Sequence, residues 1–209
     1  MSKRQVMEIL LDGLDGVVTG QGDDEATRHI VTVGLVWPRP GIAKRIAVQP
    51  VKLVGGSAAW GEAAWFDRIL FKETVMGRFG IEMAVSAPVS GAMARQAMAF
   101  FGEGLAKEAA SVLGGAAGGI LGGIVSVPLR HVAGALLDAA GVEAGIVAAG
   151  TLDLDSASLT GKGGCEIPLA APDAIYRGVR QRPPAPVRGE ELLVAAGEAN
   201  GAARIVLLG

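Results

Sequence analysis

The residues able to do chemistry are few, and they are scattered. His29 and His131 are the only histidines and Cys165 is the only cysteine in 209 residues. A nucleophilic site needs a Ser or Cys within hydrogen-bond reach of a base. Nothing near either histidine supplies that, so both read as surface residues, and Cys165, between Gly164 and Glu166, reads as a small packed side chain. The run Thr160–Gly164, TGKGG, has the look of a phosphate loop but lacks the Gly-x-x-x-x-Gly-Lys-Ser/Thr register. It reads as a loop tip. No catalytic residue, no cofactor-binding residue and no metal ligand is assigned, and the chain is expected not to be an enzyme.

Two groups of acids offer the best case for a ligand. Asp12, Asp15, Asp23, Asp24 and Glu25 fall in the first loop region, and Asp153 and Asp155 fall near a later strand end. Calcium takes six to eight oxygen ligands gathered from loops, so the two groups would bind it only if the fold brought them to one end. Solvated acidic loops are the alternative. Arg177, Arg180, Arg182 and Arg188 surround Pro183, Pro184 and Pro186. Forked guanidinium groups on an extended proline-rich stretch suit an acidic partner, and equally a solvated linker.

The most unusual stretch is 111–127, SVLGGAAGGILGGIVSV, where Gly114, Gly118 and Gly122 form one four-residue register and Gly115, Gly119 and Gly123 the next. On a helix each register makes a groove free of side chains that another backbone can approach closely. Six glycines also lower helix stability by roughly 5 kcal/mol relative to alanine, which packing against something else must offset. These six glycines, with Arg177, Arg180 and Arg182, are the expected interaction residues. The uncharged run 109–129 is long enough to cross a bilayer, but it has few aliphatics, no flanking Trp or Tyr, and no charge asymmetry between Lys107 and Arg130. A buried or partner-bound segment is favoured.

Composition sets outer limits. Half of the residues are hydrophobic, which excludes a disordered chain. A formal net charge of -2 argues against a nucleic-acid partner. One cysteine excludes an intrachain disulfide and fits a reducing cytoplasm, and the N-terminal apolar run, broken by Glu8, Asp12 and Asp15, is no secretory signal.

The elements that must position these residues are mostly strands. Residues 5–11 and 29–37 read as strands, the second with Val31, Val33, Leu35 and Trp37 on one face. Residues 43–54 read as an edge strand whose apolar phase shifts at Gln49–Pro50, predicting a bulge or bend there. Strands follow at 65–75 and 79–87. Ser90 is a predicted N-cap for a helix bearing Met93, Ala97 and Phe101. A second helix starts after Pro128, carries Leu129, Val132, Leu136 and Leu137 on one face, and stops at Gly141. Strands resume at 146–155, 165–170 and 173–179, and Asn200-Gly201 predicts a hairpin between 190–196 and 202–208.

The expected fold is therefore α+β and predominantly β: one domain, 1–209, in which an antiparallel sandwich of 5–87 and 145–208 is interrupted by a helical insertion at 90–141. With its loop aspartates and the aromatic strand WFDRILFKETV, the β portion resembles a C2-like β-sandwich. The resemblance implies loops or an insertion that touch protein or lipid; the aspartate spacing and the insertion depart from that family, so no calcium-ligand role is carried over. The expected function is a non-enzymatic interaction or scaffold module, docking a protein partner or a second copy through the insertion. Its alternatives are conditional membrane binding and a metal-dependent enzyme, and the expected location is cytoplasmic or membrane-associated.

Overall fold

Among the described residues nine strands bend into one antiparallel sheet that all but closes on itself, and two more form a separate two-stranded sheet. The computed structural model describes residues 5–20, 26–38, 44–59, 68–102, 128–159, 163–180 and 188–209. Their order is β1 (Gln5–Asp15), β2 (Thr27–Val36), β3 (Arg45–Leu53), β4 (Ala58–Ala59), β5 (Ile69–Val75), β6 (Arg78–Ser86), α1 (Gly91–Gly102), α2 (Leu129–Ala139), β7 (Ile146–Asp155), β8 (Gly163–Ala170), β9 (Ile175–Arg180), β10 (Arg188–Val194) and β11 (Ala199–Leu208). The protein is predominantly antiparallel β with two helices among the described residues.

Hydrogen bonding runs along the path β3-β2-β6-β7-β8-β11-β1, and β4 and β5 share the far edge of β1. Where two facing layers were expected, the strands thus follow a continuous path. The outer edge of β3 comes round to β5, and Arg45 Nε lies 3.5 Å from Glu73 Oε1 across that seam. The two sequence halves are joined by β6 pairing with β7 and β1 with β11.

Period-two alternation places one parity of each strand inside. Met7, Ile9, Leu11, Val31, Val33, Leu35, Phe79, Ile81, Met83, Ile205 and Leu207 form the enclosed core. Part of the outer face is buried as well, under the two helices, and this explains the phase shift in β3. Val51 and Leu53 point into the core, whereas Ile46 and Val48 pack outward against the helices. The expected bulge is absent: β3 pairs with β2 in unbroken register from Thr27↔Leu53 to Leu35↔Arg45. Two apolar layers, one on each side of the strand, mimic a bulge in the sequence.

The start of α1 and the end of α2 fall where their residues dictate. Ser90 Oγ accepts the Met93 N–H at 3.2 Å. Gly141, at φ 70, ends α2 with the Gly141 N–H donating to Asp138 O at 2.9 Å and the Val142 N–H to Leu137 O at 2.8 Å. That paired arrangement satisfies two of the last carbonyls and needs a left-handed residue, which glycine adopts freely.

The Asn-Gly hairpin is the main correction. β10 pairs with β9, β11 pairs with β8 and β1, and Asn200 and Gly201 lie inside β11. Asn200 is buried and acts as a bracket. Its Oδ1 accepts the Val18 N–H at 2.7 Å, and its Nδ2 donates to Val18 O at 3.1 Å and to Val147 O at 2.8 Å. Gly201, at φ 87, brings the backbone against β1, where a Cβ would sit 2.5 Å from Asp15 O.

Candidate functional site

Among the described residues, the helix-covered outer face brings cavities and charge together. α1 and α2 lie antiparallel on it: Gln96 Nε2 in mid-α1 donates to Ala140 O beyond the end of α2 at 2.8 Å, while Phe101 at the end of α1 packs into the cluster of Leu129, Val132, Ala133 and Leu136. Their apolar faces are buried. Leu129, Val132, Ala133, Leu136 and Leu137 of α2, and Ala94 and Ala97 of α1, are all covered.

Small residues in the sheet make room for this contact. At Gly34 an added Cβ would come within 3.1 Å of Leu129 Cδ1 and 3.2 Å of Lys44 Cδ. The Lys44 stem therefore crosses Gly34 beneath α2 and pairs with Glu82, whose backbone is the registered partner of Gly34. A fully buried Lys side chain is tolerated because its charge meets a carboxylate there.

At the α2 start, a groove of about 590 Å³ opens on β6 and β7, lined by Val36, Pro38, Arg78, Gly80, Glu82, Thr151, Asp153 and Asp155. Two of its three acids already have work: Glu82 binds Lys44, and Asp155 Oδ1 accepts the Ala157 N–H at 2.9 Å. A smaller hollow holding Pro128, Leu129, Arg130 and Thr151 adjoins it. At the α1 start, a second cavity of about 490 Å³ is lined by Arg28, Lys52 and Ser90 among others.

Gly114, Gly115, Gly118, Gly119, Gly122 and Gly123 lie in segment 103–127, outside the described residues. The described chain stops at Gly102 of α1 and resumes at Pro128, which lines the same hollow as Glu82 and Thr151. Arg177 pairs with Glu191 across β9 and β10 at 2.8 Å, so its guanidinium is already engaged. Arg180 stands opposite Arg188 at the end of the same hairpin, and Arg182 lies outside the described residues, as do Pro183, Pro184 and Pro186. Where described, the β9–β10 hairpin forms its own two-stranded sheet, so Arg177 lies on a different element from the insertion's described ends.

Among the described residues the two acidic groups do not meet. Strand directions put Asp15, which pairs with Ala202 beside the Asn200–Val147 bond, at the start of β7, whereas Asp153 and Asp155 close the other end of that strand. Asp12 pairs with Arg68 at 2.9 Å and Asp15 accepts from Ser57 Oγ at 2.6 Å. Asp23, Asp24 and Glu25 lie outside the described residues, and among those described no three His, Cys, Asp or Glu side chains gather as a metal site.

His29 corrects the reading as a surface residue. It shares the inward parity of Val31 and is 0% exposed. Nδ1 lies 2.8 Å from Ser86 O and Nε2 lies 2.7 Å from Thr27 Oγ1, so a neutral ring donates to the carbonyl and accepts the hydroxyl. Burial lowers its pKa below 6.5, against the opposing pull of the Ser86 carbonyl. His131 is exposed on α2. Cys165 packs against the core on β8, where burial raises its pKa, which disfavours the thiolate. Gly163 and Gly164 pair with Leu207 and Val206 in the sheet, as a strand rather than a phosphate cradle.

Sequence reasoning missed Lys44, Asn200 and the juxtaposition of Arg28 with Lys52. Only the last left a signal, the outward parity of both residues on neighbouring strands. No protein-family model matches the chain, and no curated protein matches it. Among the described residues no helix is long and apolar enough to cross a membrane.

Proposed function

We propose that the chain is a non-enzymatic interaction module whose sheet serves as a rigid support, the role a C2-like sandwich would have. On it a helix pair presents the glycine-rich segment 103–127 to a second copy or to another protein. One observation carries this reading: the flanking helices have already committed their apolar faces to the sheet. They therefore do not offer those faces to the Gly114–Gly118–Gly122 and Gly115–Gly119–Gly123 registers. A covering for those grooves has to come from elsewhere, from a second copy or another protein.

The test is Gly118→Leu with Gly119→Leu in the full chain. Analytical ultracentrifugation should find the native protein assembled and the variant dissociated, with the far-UV spectrum and unfolding midpoint unchanged. Assembly that survives the double change would refute the reading. So would a monomeric native protein that floats with liposomes, which would favour a lipid surface instead.

A further inference from the structure

Among the described residues, the cavity at the start of α1 gathers cations that no carboxylate pairs. Arg28 on β2 and Lys52 on β3 are direct cross-strand partners on the outer face. Four other charged pairs in register are of opposite sign, Glu8 with Lys72, Arg78 with Asp155, Glu166 with Arg204, and Arg177 with Glu191, while Arg180 with Arg188 at the end of the β9–β10 hairpin is a second pair of like sign. Like charges directly opposite are destabilising, so the Arg28–Lys52 pair is held at a cost.

A third cation joins it. The Cβ position of Gly91 lies 2.3 Å from Arg28 Nη1 and 3.7 Å from Arg95 Nη1, so both guanidinium groups crowd the first turn of α1. That turn is held over β2 by the Val89 N–H donating to Arg28 O at 2.8 Å. Ser90 serves the N–H groups of Met93 and Ala94, while those of Gly91 and Ala92 have no partner among the described residues. The positive end of a helix repels the same cations. No described carboxylate forms an ion pair with Arg28, Lys52 or Arg95.

We propose that this cavity binds a phosphoryl anion of the size of a small phosphate ester or a diphosphate. Arg28 and Arg95 would give forked contacts to its oxygens, Lys52 would add a point charge, and about 490 Å³ accommodates such a molecule. The site is independent of the glycine repeat.

Calorimetric titration of the full chain with inorganic pyrophosphate, at fixed ionic strength, tests it. Saturable one-to-one binding is expected, weakened about tenfold or more by Arg28→Gln or Lys52→Gln through loss of a charge-assisted contact. Without the anion each of these variants should be at least as heat-stable as the native chain, since each removes half of a repulsive pair; a purely structural role for Arg28 would give the reverse. Absence of saturable binding, or binding unchanged in both variants, overturns the proposal. So does pyrophosphate binding that appears only in a D23N/D24N/E25Q variant, which would identify the chain's own acids as the counter-ions.

Discussion

Replacing Asn200 by Ala should cost more than any surface change in this chain, and the cost follows from three bonds. The side chain is 1% exposed, and its loss strands the Val18 N–H, the Val18 carbonyl and the Val147 carbonyl at once. A buried polar group left without a partner costs about 1–3 kcal/mol. The Val147 bond is buried and takes the middle of that range, whereas the two Val18 groups are part-buried and reachable by water. The total comes to about 3 kcal/mol, a fall of roughly 6–12 °C in unfolding midpoint for a chain of this size. Urea unfolding followed by far-UV circular dichroism measures it. Asn200→Asp adds a sign test: it keeps the acceptor for Val18 but turns an oxygen toward two carbonyls. Its carboxyl pKa should rise in the folded state, so this variant is most stable below about pH 4, the unfolded Asp value, and loses stability as pH rises through the raised folded value. A loss under about 1 kcal/mol in Asn200→Ala would refute the bracket argument, because intact bonds of this kind are worth that much singly.

His29 predicts the opposite slope. Its folded pKa lies below 6.5, so stability is complete above that pH and falls as pH drops toward the lowered value, by at most about 1.4 kcal/mol per unit. The difference between native and His29→Asn unfolding energies, measured from pH 7.5 to 5, should shrink with acid, and a constant difference would exclude a neutral buried ring. Two glycines separate space from strain. Gly150→Ala would put a Cβ 2.2 Å from Pro168 O and should destabilise by about 2 kcal/mol or more through backbone displacement. Gly134→Ala, in mid-α2 with nothing within 4 Å, should stabilise by about 1 kcal/mol, and thermal melts of the two variants check both signs.

Local rules carried the elements further than their partners. Alternation located β2, β6 and β7 because one face of each lies in the enclosed core, and Ser90 and Gly141 announced their helix ends through hydrogen bonds made within a few residues. Pairing was harder. Asn-Gly signals a tight turn because both residues accept left-handed conformations, yet here Gly201 uses that freedom inside a strand to approach Asp15 while Asn200 reaches residues far away in sequence. β3 misled for a related reason: a strand apolar on alternate sides at its two ends looks bulged unless the helices on the outer face are known. His29 was misread because a ring at a strand start is placed by the parity of that strand, and its polar partners Thr27 and Ser86 become visible only once β2 and β6 are side by side. The arginines at 177 and 180 drew notice by density, whereas Arg28 and Lys52, with no described carboxylate paired to either, are separated by sequence and united by register.

The two proposals rest on opposite ends of the same helix pair. α1 rises about 18 Å from Gly91 to Gly102 at 1.5 Å per residue, so the cationic cavity at its first turn and the departure of segment 103–127 at its last are too far apart to share partners. Effects at such a separation are expected to add. Anion binding lost in Arg28→Gln with assembly intact would therefore isolate the cavity, and assembly lost in the glycine variant with pyrophosphate binding intact would isolate the segment. Loss of both from either change would mean that α1 itself shifts on the sheet. The Gln96–Ala140 bond and the Phe101 contacts hold that helix against α2 and the β2–β3 surface, and so argue for a fixed support with two separate surfaces.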